Sequence, residues 1–152
     1  MTDNILITGG YGNLGSWLTE YFLNKGSNVF VTTSSNRDTL EIFKNVNTIK
    51  LDLGSPNQFN NELGKINFDV IIHGASYNEY NDKDYFWKSY RINSEGTSSL
   101  LNKIKLNKLR HFIYLSTYHV YGKNFGIIEE SNPAFPLNDY ANSHLSAENI
   151  VR

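Results

Sequence analysis

The stretch that most constrains the fold is Asn4-Ile-Leu-Ile-Thr-Gly-Gly-Tyr-Gly-Asn-Leu-Gly15, an apolar run that opens directly into four glycines within seven residues. Ile5, Leu6 and Ile7 have the continuous aliphatic character of a strand covered on both faces, as in a parallel sheet. Gly9, Gly12 and Gly15 follow at GxxGxxG spacing, with Gly10 as an extra. A turn of this kind needs residues that tolerate unusual φ, a backbone bare enough for pyrophosphate to approach, and close helix–strand contact. Leu14, Trp17, Leu18, Tyr21 and Phe22 recur at three and four, so a helix is expected from about Asn13 with its free N–H groups aimed at the glycines. Asn13 and Leu14, which open that helix, are counted with Gly9, Gly12 and Gly15 as expected cofactor contacts. Strand, glycine turn and amphipathic helix in succession point to a dinucleotide diphosphate. The Walker-type alternative lacks its Gly-Lys-Ser/Thr ending.

At 152 residues the chain is one domain's worth, read as a single dinucleotide-binding unit over 1–152. A net charge of −1 with mixed signs throughout gives no basic stripe for nucleic acid. No run approaches the length of a membrane span, and the first strand begins too early for a signal peptide, so a cytoplasmic protein is expected. The absence of cysteine excludes disulfides and thiolate chemistry, and the four histidines have no metal-like spacing.

Along the chain, Lys25-Gly26 reads as a helix stop and Asn28 to Thr33 as a second strand. An acid about twenty residues past the glycines would hold the ribose 2′-hydroxyl of NAD, whereas an Arg suits the 2′-phosphate of NADP. Here the strand tip carries Ser34 and then Arg37, which leans toward NADP over NAD, with Asp38 as the counter-candidate. Thr48 to Leu51 is a third strand running into Asp52-Leu53, and Ser55-Pro56-Asn57-Gln58 reads as a capping box. Asp52 is either an adenine contact or a turn acid. Phe68 to His73 is a fourth strand, ending in His73-Gly-Ala-Ser76, where small residues let the backbone pass close to a cofactor. His73 itself reads as a packing or hydrogen-bonding residue.

From about Asp84 to Lys105 a helix is expected, with Phe86, Tyr90, Thr97, Leu100 and Ile104 on one face and Asn93 among them. Asn93 either bridges backbone or orients an active-site water. Tyr77, Tyr80 and Tyr85 make an aromatic loop that either floors a substrate pocket or covers the core. His111 to Thr117 is a fifth strand, followed by a long loop to Pro136 and a last helix from Asn138, on which Tyr140 and His144 share a face.

Taken in order, these motifs resemble the extended short-chain dehydrogenase/reductases, the NAD(P)-dependent epimerase/dehydratase family acting on nucleotide sugars. Thr8-Gly-Gly-Tyr-Gly-Asn-Leu-Gly15 looks like its TGxxGxxG turn, Asp52-Leu53 like its adenine-binding pair, and His73-Gly-Ala-Ser76 like its HxAA strand end, with Ala75 at the cofactor. Arg91-Ile-Asn-Ser-Glu-Gly-Thr97 resembles NVxGT, Ser116-Thr-Tyr-His-Val-Tyr-Gly122 resembles SSxxVYG, and Tyr140 the YxxxK tyrosine. The resemblance implies an α/β Rossmann-type doubly wound parallel sheet of about five strands, cut within the Tyr140 helix, with the C-terminal substrate domain missing. It implies a nucleotide-sugar substrate, Thr117 on the sugar oxygen, Tyr140 as acid/base in hydride transfer with NAD(P), and a homodimer of the full-length form through the helices beginning near Asp84 and Asp139. Tyr118 stands where a dehydratase carries an acid, so epimerase or 4-keto-sugar reductase is expected, the alternative being a non-catalytic NAD(P)-binding or sensing protein. His144 stands where the family has lysine. An imidazole near its ordinary pKa supplies less charge than a lysine for stabilising a phenolate, though it still hydrogen-bonds a ribose hydroxyl.

Overall fold

The computed structural model describes residues 2–34, 44–59, 61–79, 81–122 and 126–152. Five strands, β1 (Asn4–Thr8), β2 (Asn28–Thr33), β3 (Asn47–Lys50), β4 (Val70–His73) and β5 (His111–Tyr114), form one sheet in the order β3-β2-β1-β4-β5. Every neighbouring pair is parallel, with Ile5 beside Val29 on one side and Val70 on the other. The helices are α1 (Asn13–Asn24), α2 (Tyr85–Ser89), α3 (Gly96–Lys103) and α4 (Asp139–Val151), and a π-helical segment, Tyr90–Glu95, joins α2 to α3. This is the doubly wound Rossmann architecture that the motif order implies.

Strand periodicity divides the core. Leu6, Ile71 and Phe68 pack on one face with Leu100 of α3, while Ile5, Ile7, Val29, Val31 and Ile72 pack on the other against Leu18 and Phe22 of α1. Central strands buried on both faces need apolar residues at every position, which is why β1 reads as a continuous run. Leu6 is fully buried, and truncation to Ala would cost about 2–5 kcal/mol.

The helix stop read at Lys25-Gly26 is a Schellman motif: Ser27 N–H donates to Phe22 O at 3.0 Å and Gly26 N–H to Leu23 O at 2.9 Å, with Gly26 at φ 78°. The α1 stripe is split, however. Leu18 and Phe22 face the sheet, while Leu14, Trp17 and Tyr21 are more than half exposed, and the small Thr19 is what meets the glycine turn. No side chain of Ser55 caps the turn that follows it, and residues Pro56–Gln58 form only a single 3₁₀ turn. In the long helix Asn93, Thr97, Leu100 and Ile104 are buried as expected, but Phe86 is 46% exposed. The π turn between them accommodates one extra residue per turn, rotating everything before it away from the expected face. Arg37, Asp38 and Tyr80 lie outside the described residues. Among the described residues no helix is long and apolar enough to cross a membrane.

Candidate active site

The sheet runs β1 to β2 to β3 in one direction, then returns to place β4 on the other side of β1. A crevice opens at such a reversal, beyond the C-terminal strand ends. Two adjoining cavities fill it, one of about 360 Å³ toward β2 and β3 and one of about 210 Å³ toward β5 and α4, sharing Gly9, Gly12, Gly74 and Ser76 in their walls.

The glycine turn forms the ridge between them. Gly9 has φ 71° and accepts Gly12 N–H at 2.8 Å. A Cβ at Gly15 would lie 2.1 Å from Gly9 O, so only glycine lets the turn fold this tightly onto α1. Gly12 is the N-cap of α1, and no side chain caps the helix or places an acid in its first turn. The terminal N–H groups of a 12-residue helix therefore face the crevice with their dipole uncompensated, which suits an anion.

Behind the turn runs a directed chain of buried hydrogen bonds. Thr8 Oγ1 accepts the N–H groups of Gly74 and Ala75 at 3.1 Å each, so its own proton goes to His73 Nδ1 at 2.6 Å. The His73 proton is then on Nε2, donated to Thr97 Oγ1 at 2.9 Å, and Thr97 donates to Asn93 O at 2.5 Å. Burial pushes His73 down to about 4, with His144 adding to the effect, so the neutral ring this chain requires is kept. The Asn93 amide is occupied: Oδ1 accepts Tyr77 N–H at 2.7 Å, and Nδ2 donates to Tyr77 O at 3.2 Å and Ser143 Oγ at 3.0 Å. Its side chain ties the loop after β4 to α4, which is the backbone-bridging alternative. The Tyr77 hydroxyl donates to Asp82 at 2.6 Å, and the hydrogen bond to Lys88 holds the Asp82 carboxyl well below its usual range.

On the far wall, Asn138 Oδ1 caps α4 by accepting Ala141 N–H at 2.8 Å. Tyr140 and His144, one turn apart, both line the smaller cavity, with ring centroids 4.4 Å apart in an edge-on arrangement. His144 is 1% exposed, its Nδ1 lies 2.8 Å from the Tyr114 hydroxyl, and its Nε2 has no hydrogen-bond partner among the described residues. Burial pushes His144 down to about 4 and Tyr114 upward.

The larger cavity gathers Gly9, Gly12, Ser34, Asp52, Leu53 and Ala75 of the expected cofactor contacts, and the smaller one adds Asn13, Leu14 and Gly15 together with the catalytic candidates Tyr140 and His144. Asp52 has the turn role weighed for it, its Oδ1 accepting Gly54 N–H at 2.9 Å, and it also lines the cavity. Thr117 lines neither cavity; its hydroxyl accepts His119 N–H at 3.3 Å, and Ser116 stands at the wall instead, donating to Glu148 at 2.5 Å. Sequence reasoning missed Ser116, Tyr11 and Thr33, although each sits at or just past a strand end, where walls of such crevices are built.

These residues fit a dinucleotide: an uncapped helix start at a bare turn, hydroxyls and an acid along one arm, and an orphaned imidazole nitrogen beside a tyrosine on the other. The family model for "NAD dependent epimerase/dehydratase family" matches residues 5–152. The dTDP-D-glucose 4,6-dehydratase of Dictyostelium discoideum is 31% identical over 174 residues, covering 99% of this chain and 40% of that protein. A UDP-glucose 4-epimerase of Halalkalibacterium halodurans is 26% identical, covering 96% of this chain and 44% of its own length. Among solved structures, the UDP-glucuronic acid 4-epimerase of Bacillus cereus in complex with NAD superposes with a TM-score of 0.80 at 28% identity, over 97% of this chain and 51% of that one. The chain thus spans about half or less of the length of the proteins it resembles.

Proposed function

The chain belongs to the NAD dependent epimerase/dehydratase family, and from that premise we propose that it is the dinucleotide-binding unit of a nucleotide-sugar epimerase or 4-keto-sugar reductase. The observation that carries the reading is the smaller cavity, where Tyr140 and His144 of α4 meet the glycine turn and the start of α1. Relatives named for UDP- and dTDP-sugars support the substrate class.

Gly9, Gly12 and the α1 start would hold the diphosphate, and Asp52 with Leu53 the adenine end. When bound, NAD(P) supplies the hydride acceptor and donor. Tyr140 would take the proton from a sugar hydroxyl as that carbon is oxidised, and return one on reduction. Thr117 would donate to the same sugar oxygen, since its hydroxyl accepts His119 N–H and keeps a proton of its own to give. Two observations bear on the dinucleotide. The related epimerase structure holds NAD, while the β2 tip of this chain offers Thr33 and Ser34 hydroxyls and no carboxylate. A homodimer belongs to the same proposal, with the exposed Phe86 and Trp87 of α2 as its apolar contact.

A second reading, a non-catalytic NAD(P) sensor, is favoured by the neutral, buried His144 in the place of a cation. Titration calorimetry with NAD⁺ and NADP⁺, followed by proton NMR of UDP- and dTDP-hexoses incubated with the protein, separates the two. Binding with turnover supports the enzyme, binding without turnover the sensor, and no binding at millimolar dinucleotide removes both.

A further inference from the structure

His144 is the one buried ring on α4 whose two nitrogens are treated differently by the fold. Nδ1 faces the Tyr114 hydroxyl at 2.8 Å, and Nε2, on the opposite side of the ring, is buried without a partner among the described residues, in a side chain that lines the smaller cavity. The direction of the Tyr114 bond decides what that nitrogen offers. If His144 donated from Nδ1, the half-buried Tyr114 proton would lose the acceptor that the structure gives it and the buried Nε2 would be a bare lone pair, leaving two groups unsatisfied. If Tyr114 donates, only Nε2–H is left over. Each buried unsatisfied group costs about 1–3 kcal/mol, so the second arrangement wins.

We propose that Tyr114 is a positioning residue that locks His144 into the tautomer with its proton on Nε2, so that the ring presents an uncharged N–H donor to a hydroxyl or carbonyl oxygen of whatever occupies the cavity beside Tyr140. Naming that oxygen as a ribose hydroxyl of the dinucleotide rests on the function proposed above; the lock itself does not.

The surroundings keep the ring neutral. Tyr114 faces it from β5, Tyr140 from its own helix and His73 from β4; the residues of the π-helical segment against α4, Asn93 and Ser94, are uncharged, and His119 stacks its edge toward Tyr140. Glu148, one turn further along α4, is engaged by Ser116 and Arg152. With no carboxylate turned toward it, burial alone lowers His144 to about 4. The donor is therefore constant across neutral pH, and unlike a lysine it brings a hydrogen bond without a cation.

Long-range proton–nitrogen NMR of the ¹⁵N-histidine-labelled protein reads the tautomer directly, with His144→Gln to assign the resonance. At pH 7 the expected pattern is one protonated nitrogen, Nε2, and a bare Nδ1. Tyr114→Phe should convert this to a tautomer mixture and weaken NAD⁺ or NADP⁺ binding roughly threefold to tenfold, the worth of one hydrogen bond. A wild-type His144 protonated on Nδ1 or on both nitrogens at pH 7 overturns the proposal, as does a Tyr114→Phe spectrum identical to wild type. Should the variant not fold, the wild-type pattern alone decides. If the Nε2–H pattern and its loss are both seen but neither dinucleotide moves any histidine resonance, the lock stands and the dinucleotide reading falls.

Discussion

Thr8 Oγ1 lies 2.6 Å from His73 Nδ1, joining the C-terminal ends of two adjacent strands at the point where the glycine turn begins. Because Thr8 also accepts two backbone N–H groups from Gly74 and Ala75, the ring has to be an acceptor there, and a doubly protonated His73 breaks the chain that runs on to Thr97 and Asn93.

That requirement sets an acid limit on the fold. His73 and His144 are each pushed from 6.5 to about 4 in the folded chain. Between those values the unfolded state binds the protons and the folded state does not, so stability rises with pH through the window and is lost as pH falls from about 6.5 toward 4. Each histidine removes roughly 2 kcal/mol between pH 7.5 and pH 5. Asp82, held low by Lys88 and Tyr77, loses its contribution only below the ordinary carboxylate range. Urea unfolding at pH 7.5 and pH 5 should show the difference, and His73→Gln should flatten it while lowering stability at pH 7.5. Equal stabilities at the two pH values would mean that these rings are not held neutral.

A methyl group at Gly15 should abolish the anion site. Its Cβ would meet Gly9 O at 2.1 Å, a backbone atom that cannot move without opening the turn. Gly15→Ala is expected to weaken NAD(P) binding by at least about tenfold and to cost about 1–3 kcal/mol of stability from overpacking. Calorimetry beside a thermal melt checks both; wild-type affinity in a folded variant would take the diphosphate away from this turn.

Cofactor preference tests the β2 tip. Ser34 is exposed at the cavity wall and Arg37 follows in a segment outside the described residues. NADPH is expected to bind more tightly than NADH, with Arg37→Ala narrowing the gap. Tighter NADH binding that ignores this substitution would hand the ribose to Asp38.

Replacing His144 with lysine probes the proton chemistry proposed for Tyr140. A neutral imidazole leaves the phenolate without the cation that a lysine supplies, so alcohol oxidation should climb further into the alkaline range in the native sequence. His144→Lys should raise the oxidation rate at pH 7 and change reduction much less, because reduction uses the protonated tyrosine. Single-turnover rates in both directions against pH are the measurement. Loss of both activities in a folded variant would show that the His144–Tyr114 pair is needed for more than charge.

Local chemistry made much of this fold legible. The continuous aliphatic run of β1, the glycine spacing, the Schellman stop at Gly26 and the Asn138 cap of α4 each depend on residues within a few positions of one another. The places of Gly9, Gly12, Gly15, Asp52 and Ala75 at the crevice were readable for the same reason: in a parallel sheet they follow directly from where strands end. The π turn was not readable, since helical periodicity assumes 3.6 residues per turn and the extra residue is accommodated by packing against α4.

What the sequence by itself determined, then, is the order and direction of the elements and the residues at the mouth of the crevice, because these follow from period, turn and cap. Only the tertiary structure decided the partners of the buried polar groups. Asn93 reaches Tyr77 across 16 positions and Ser143 across 50, His73 reaches Thr8 across 65, and Tyr114 reaches His144 across 30. A side chain's protonation, tautomer and availability are set by whichever atoms the fold brings within 3 Å of it, and no spacing along the chain encodes those.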